Sequence, residues 1–356
     1  MTAFFKTHWL TLTLFLFFAI GAAAQNVATQ HNDNNRTGWY NKETVLNTRN
    51  VKFGSFGRLF TRYADDQIYA QPLVILHLNI PGKGVKNVVF IATVNNTVYA
   101  YDADSAGVTA PYWQVNLTLA GARPVEADDM TGACGGFYKD FSGKMGIVGT
   151  PVIDTATNTM YVVARSVSNN VFYQYLHALD ITTGAEKANS PKLIEAQVPG
   201  YGDGNENGIV HFNSQHHNQR SGLLLVNDNV YITYAAHCDW GPYHGWIIGY
   251  DKTTLQQTRV YNTTPEGYNG GIWMSGGGPS ADDAGNIYAA VGNGSVGLNG
   301  DATNLTNRSE SALRLVPNGT GFTIASYFTP NNYGHLEGVD LDFGVKPDQP
   351  TQPAEA

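Results

Sequence analysis

Charge is scarce in this sequence: 14% of its 356 residues are Asp, Glu, Lys or Arg, and the acids outnumber the bases to leave a net charge of -8. Nucleic acids and anionic membranes are held through basic patches, and the absence of one excludes both as partners. Cysteine is rarer still. Only Cys134 and Cys238 occur, they are not adjacent, and there is no C-x-x-C-H haem attachment site. No uninterrupted amphipathic helical stretch is present, so strands have to carry the fold. The sequence also lacks G-x-S-x-G, H-E-x-x-H and a phosphate-cradling glycine loop. Adjacent carboxylates such as Asp128-Asp129 and Asp282-Asp283 lie in turns, and nothing places them across a cleft for glycoside cleavage.

Long apolar runs are confined to one place. Lys6 and His8 precede an apolar stretch from Leu10 to Ile20, and Ala22, Ala23 and Ala24 supply a small-residue cleavage site before Gln25. This is the pattern of a signal peptide over residues 1–24, cleaved near Ala24, and it predicts an exported protein, periplasmic or extracellular. The run is shorter than the roughly 20 residues that a helix needs to span a bilayer, which argues against a membrane anchor. Export permits oxidation, so Cys134 and Cys238 either pair or remain two buried thiols; pairing requires Cα atoms within about 7 Å.

What is abundant is glycine and tyrosine, 39 and 20 residues, suited to tight turns joining aromatic-rich strands. A unit of turn, apolar strand with tyrosine, then a second strand ending in aspartate recurs. Its copies begin at Asn87, Asn158, Asn229 and Asn286, and the first three close at Asp102, Asp180 and Asp251. Self-similarity over tens of residues marks a propeller or solenoid. The spacing of Tyr161, Tyr231 and Tyr288 exceeds the roughly 40 to 50 residues of common propeller repeats, so loops are inserted: Ala120 to Lys144, Gly200 to Arg220, and Gly294 to Ser309. Loops gathered on one face of such an array are where binding resides. The predicted class is all-β, a β-propeller of four-stranded antiparallel blades at about 70–119, 146–198, 221–261 and 270–330. The propeller domain runs over 25–344, and Phe56 to Thr61 is expected to form an additional N-terminal outer strand. Residues 345–356 are Pro-rich and polar and are expected to be disordered.

Several segments give the chain its resemblance to bacterial exported proteins with pyrroloquinoline-quinone-type (PQQ-like) propeller repeats. They are Asn32 to Gly38, Tyr69 to Leu73, Gly146 to Asp154, Leu176 to Gly184, His237 to Trp246, Gly271 to Gly277 and Val291 to Gly294. The resemblance covers about Asn32 to Gly344 and implies a quinoprotein-like fold, apparently truncated at its C-terminus. It makes PQQ and calcium the cofactors to consider. The quinoprotein alcohol dehydrogenases themselves stack the quinone on a disulfide between adjacent cysteines, hold calcium beside it and close eight blades. This chain departs from them in the separation of its cysteines and in having about four units.

The densest cluster of usable side chains is His237, Asp239, Tyr243 and His244, flanked by Trp240, Trp246 and Trp273. These groups suit a metal, or a sugar or quinone laid on a tryptophan, or they fix a long loop over an inter-blade core. His211, His216 and His217 lie in a polar insertion. Arg220 offers a bidentate donor to an anionic group in the central channel, or is simply exposed. Asp203, Asn205 and Asn207 match the first half of a calcium loop, but Ser214 stands where its bidentate glutamate belongs. Asn293 resembles a position near the quinoprotein cofactor. The leading expectation is a non-catalytic binding or interaction module for a small molecule, a glycan or a protein. The alternatives are a PQQ-dependent oxidoreductase, with quinone near Trp273 and Asn293 and Asp239 or His237 as base, and a carbohydrate-binding or carbohydrate-active surface protein. An incomplete array also exposes strand edges, which predicts self-association.

Overall fold

The four repeats fold as four antiparallel sheets, seen in a computed structural model that describes residues 25–141 and 143–343. The signal peptide and the Pro-rich tail expected from the sequence lie outside the described residues. The chain divides into two compact units. In the smaller, residues 41–57 form successive turns, where the Glu43 carboxylate accepts from the N–H groups of Val45 and Leu46 at 2.6 and 2.7 Å. The larger unit, from residues 25–40 and 58 onward, contains every strand among the described residues.

Blade one is the sheet Leu73–Ile80, Gly84–Ala92, Thr97–Asp102, Trp113–Asn116, in that order. Blade two consists of Val152–Asp154, Thr159–Ser168, Val171–Asp180 and Lys192–Leu193, and Arg123–Pro124 from the first insertion also pairs with Thr159–Ser168. Blade three is Leu224–Val226, Asn229–Ala236, Trp246–Asp251 and Gln257–Asn262, joined by His217–Asn218 along Asn229–Ala236. Blade four is Ser280–Ala281, Ile287–Val291, Ser311–Asn318 and Gly321–Phe328.

The middle strands read as unbroken apolar runs because both of their faces are buried. Side chains of a strand alternate between faces. On Thr159–Ser168, Met160, Val162 and Ala164 pack with blade one, while Tyr161 and Val163 pack with Val230, Ile232 and Tyr234 of blade three. Blade three repeats the division, sending Tyr231 and Ile247 towards Ile287, Ala289 and Leu313 of blade four. The aspartate that ends each of the first three repeats shapes a turn. Asp180 Oδ1 accepts from the N–H of Thr182 at 2.8 Å, and Asp251 and Asp102 do the same for Thr253 and Asp104. Gly184 closes its turn at a φ of 76° against the Trp113 ring, a position that only glycine fills without strain.

An N-terminal arm crosses the first strands of all four blades. Val27 pairs with Val74, the Ala28 carbonyl accepts from Ile153, and the Asn34 carbonyl accepts from Ala281. Arg36 donates to the carbonyls of Leu223, Pro279 and Gln30 at 2.9, 3.0 and 2.9 Å, and burial lowers its pKa to about 10. The arm therefore ties the inner strands together, with Val27 and Ala28 on blades one and two and Asn34 and Arg36 on blades three and four.

One expectation is corrected. Phe56 to Thr61 forms no ladder, and Leu59 is 89% exposed. An isolated strand leaves its backbone groups unpaired, and no edge among the described residues receives this one. The chain immediately after it, Arg62 to Gln67, acts as a strap on the outward face of blade one. Tyr101 donates its hydroxyl to the Tyr63 carbonyl at 2.8 Å, and Asp65 accepts from Thr93 and Thr97 at 2.8 and 2.5 Å.

Candidate functional site

The second strands of blades one, three and four end at Ala92, Ala236 and Val291, and the segments that follow them, with the end of Thr159–Ser168, carry the polar groups of the site. The first insertion covers this region. Val125, Met130, Ala133, Tyr138, Phe141 and Met145 form a cluster of their own, and Cys134 and Cys238 are disulfide-bonded across 104 residues with Cα atoms 5.4 Å apart. Of the two readings open to the sequence, pairing is the one realised.

The histidine cluster read from the loop 237–246 is dispersed by the fold. His237 is fully buried with both ring nitrogens engaged: Nε2 lies 2.9 Å from Arg165 Nη1 and Nδ1 lies 2.8 Å from the Tyr138 hydroxyl. A guanidinium can only donate, so Nε2 accepts, and His237 is the neutral tautomer with its proton on Nδ1, donated to Tyr138. Burial holds its pKa well below the usual range, and Arg165 and Arg220 add to that. A histidine so engaged has no lone pair left for a substrate. Asp239 accepts from the Tyr243 hydroxyl, and its pKa is raised, chiefly by desolvation.

His244 Nδ1 is 2.8 Å from Thr264 Oγ1 and its Nε2 is 2.9 Å from the Asp203 carbonyl. Trp246 is buried in the core between blades two and three and donates Nε1–H to His217 Nε2 at 3.0 Å. His217, whose pKa burial lowers to about 3, holds that loop from within. These are structural positions. Asn205 of the calcium-like loop uses both ends of its amide on the turn, donating to Gly202 and accepting from Gly208, and Asn207 takes a left-handed φ of 53°. Asp203 and Asn207 are exposed. Among the described residues, no group of three or more His, Cys, Asp or Glu could hold a metal ion.

Two neighbourhoods remain. In the first, Arg165, 1% exposed, projects from the end of its strand with Nε and Nη2 making no hydrogen bond, and burial lowers its pKa to about 10. Arg220 is within electrostatic reach of the same group. Its guanidinium is 5.4 Å from the Trp273 ring centroid and donates to Ser275 Oγ at 2.5 Å, and it acts electrostatically on Tyr138 and His237, as Arg165 does. Neither arginine forms an ion pair among the described residues. Two cations thus converge on Tyr138 and His237 without a carboxylate in contact.

The second neighbourhood is acidic. Asn293 donates its backbone N–H to Asp342 at 2.6 Å and its amide to Asp340 at 2.8 Å, while Gly294 donates to Glu337 and Phe343 to Glu310 at 2.8 Å. A Cβ at Gly292 would lie 2.2 Å from Asp342 Oδ1, so glycine is what admits this carboxylate. Burial and neighbouring carboxylates raise Glu310 to about 7 and Asp342 to about 6. Asn293 Oδ1 and Glu310 Oε1 are buried without a hydrogen bond.

The sequence reading named Arg220, Trp273, His237 and Asn293 but missed Arg165, Tyr138, Glu310 and Asp342. Arg165 had a signal, a lone charge inside an apolar strand; Asp342 had another, lying in a segment without an evident structural purpose.

No protein-family model matches the chain, and no curated protein matches it. Solved structures do. Quinohemoprotein alcohol dehydrogenase from Comamonas testosteroni aligns at 15% identity and a TM-score of 0.54 over 85% of this chain and 41% of its own. A quinohemoprotein alcohol dehydrogenase from Pseudomonas putida aligns at 14% and 0.51, over 85% and 40%. A europium-containing methanol dehydrogenase aligns at 14% and 0.52, over 86% and 49%. The chain is therefore an all-β protein with the quinoprotein-like, PQQ-type propeller fold. It spans less than half the length of these structures, and at such identity the likeness is one of fold.

Proposed function

We propose that this protein is an exported propeller that binds an anionic small molecule without turning it over, beside the half-buried guanidinium of Arg220. The observation that carries this reading is the pair Arg165, buried, and Arg220, half-buried, two guanidiniums that form no ion pair among the described residues. A buried cation is costly unless paired, and an incoming carboxylate or phosphate would supply the missing partner. Export rests on the sequence of residues 1–24; no helix among the described residues is long and apolar enough to cross a membrane.

The fold raises PQQ with calcium as the ligand, and the residues only half suit it. The arginines match its carboxylates. Its flat ring needs a free aromatic face, whereas the face of Trp273 lies under Arg220 with Tyr243 at 6.1 Å in edge contact. The acidic groups near Asn293 are each turned onto a backbone or amide N–H, and no three converge as metal ligands among the described residues. The arrangement does not fit the quinone and calcium together, and no redox step is derived from it.

Isothermal titration with inorganic phosphate, citrate and PQQ, each with and without calcium, tests the proposal. Saturable binding of at least one anion, weakened about tenfold or more in Arg220→Met, is the expected result. Binding unaffected by that substitution, no binding at all, or substrate-dependent dye reduction with PQQ and calcium would overturn it.

A further inference from the structure

We propose that Asn299 is a site of spontaneous covalent modification, where the side-chain amide is lost through an imide formed with the Gly300 nitrogen, leaving aspartyl and isoaspartyl residues in the insertion Gly294 to Ser309. The chain holds five Asn-Gly pairs, at Asn207, Asn269, Asn293, Asn299 and Asn318. In such a pair the glycine nitrogen is the nucleophile, and no side chain shields it. Reaction therefore depends on whether the fold leaves that nitrogen and the neighbouring amide free.

Three of the pairs have the nitrogen engaged. Gly208 donates its N–H to Asn205 Oδ1 at 3.2 Å, Gly270 to the Asn293 carbonyl at 2.7 Å, and Gly294 to Glu337. Asn293 is held a second time, through its amide on Asp340 at 2.8 Å. At Asn318 the amide donates to Thr323 Oγ1 at 3.1 Å. Asn299 differs from all four. It and Gly300 are exposed, and neither its amide nor the Gly300 N–H makes a hydrogen bond among the described residues. A Cβ on Gly300 would meet nothing within 4 Å. The two residues are the central pair of a hairpin turn, with φ of 51° and 82°, closed by Leu298 and Asp301, whose N–H groups donate to each other's carbonyls at 3.2 and 3.0 Å.

The reaction needs only water. Hydroxide takes the proton of the Gly300 nitrogen, which then bonds to Asn299 Cγ; the Cγ–Nδ2 bond breaks, and ammonia leaves with a proton from water, which restores the hydroxide. Water next opens the ring at either carbonyl. Opening at Cγ gives aspartate, whereas opening at the main-chain carbonyl routes the chain through Cγ and gives isoaspartate. Nothing is oxidised or reduced. Both products add a negative charge, and isoaspartate also lengthens the backbone of a two-residue turn, which breaks the exchange between Leu298 and Asp301.

Peptide mapping by mass spectrometry tests this, on the folded protein aged in mildly alkaline buffer and on the same chain aged in urea. In the folded protein Asn299 is expected to convert about tenfold or more faster than Asn207, Asn269 and Asn293, whose glycine nitrogens must first leave their bonds, and ahead of Asn318. Both isomers are expected as products, and in urea the advantage of Asn299 disappears. Conversion at Asn299 no faster than at the other four, an exclusively aspartyl product, an advantage that persists in urea, or no conversion at all would overturn the proposal.

Discussion

Glu310 shows how one residue sets a pH response. Its ordinary value of 4.5 is raised to about 7, first by burial and then by the carboxylates of Asp342, Glu337 and Asp340, with the Phe343 N–H opposing. A carboxyl raised on folding favours the native state while it is protonated; that contribution is complete below the unfolded pKa and is lost as pH rises through the native one. Asp342, raised from 3.8 to about 6, has the same sign. Stability from this cluster therefore falls between about pH 4 and 7. Glu310→Gln is expected to raise Tm by about 2–4 °C at pH 7.5 and to change it little at pH 4. Calorimetry at both values checks this, and an equal shift at both would rule out titration as the cause. Neither the meeting of Asp340 and Asp342 with Asn293 nor the role of Gly292 in admitting Asp342 is visible without the fold.

At the scale of elements, the insertion Ala120 to Lys144 holds one short strand, Arg123–Pro124, among its described residues and depends on its own small core and on one covalent tie. The disulfide links it to the loop after Asn229–Ala236, and closing so long a loop removes freedom from the unfolded chain. Replacing both cysteines by alanine is expected to cost about 2–5 kcal/mol in urea unfolding. An unchanged midpoint would show that packing of Met130, Phe141 and their neighbours suffices. The strands themselves were legible in the sequence, because alternation and turn chemistry are local: Asp180 and Gly184 do in the structure what their types suggest. The outer strand at Phe56 to Thr61 was not, because a strand exists only where another edge receives it.

Across the whole molecule the N-terminal arm crosses all four blades and adds to the packing between them. Arg36 alone donates to three backbone carbonyls and to Thr29 Oγ1, linking the first strands of blades three and four to the arm. Arg36→Met leaves those acceptors unpaired, at an expected cost of about 3 kcal/mol or more. Equilibrium unfolding measures it, and a loss below about 1 kcal/mol would show that water replaces the guanidinium. Binding at Arg220 belongs to this scale too, since it depends on segments distant in sequence.

The amino-acid sequence by itself determined the blade pattern, its turns and the positions of the insertions, because hydrophobic alternation and turn residues act over a few neighbours. Tertiary structure alone decided which polar groups meet. It turned His237 onto Arg165 and Tyr138 and set His244 and Trp246 on His217, and it brought Arg165 and Arg220 within electrostatic reach of the same Tyr138 and His237 and Asp342 beside Asn293. It also laid the segment Arg62 to Gln67 over the outward face of blade one. Local rules place a side chain on a face of its strand; what lies opposite that face is set by packing between blades.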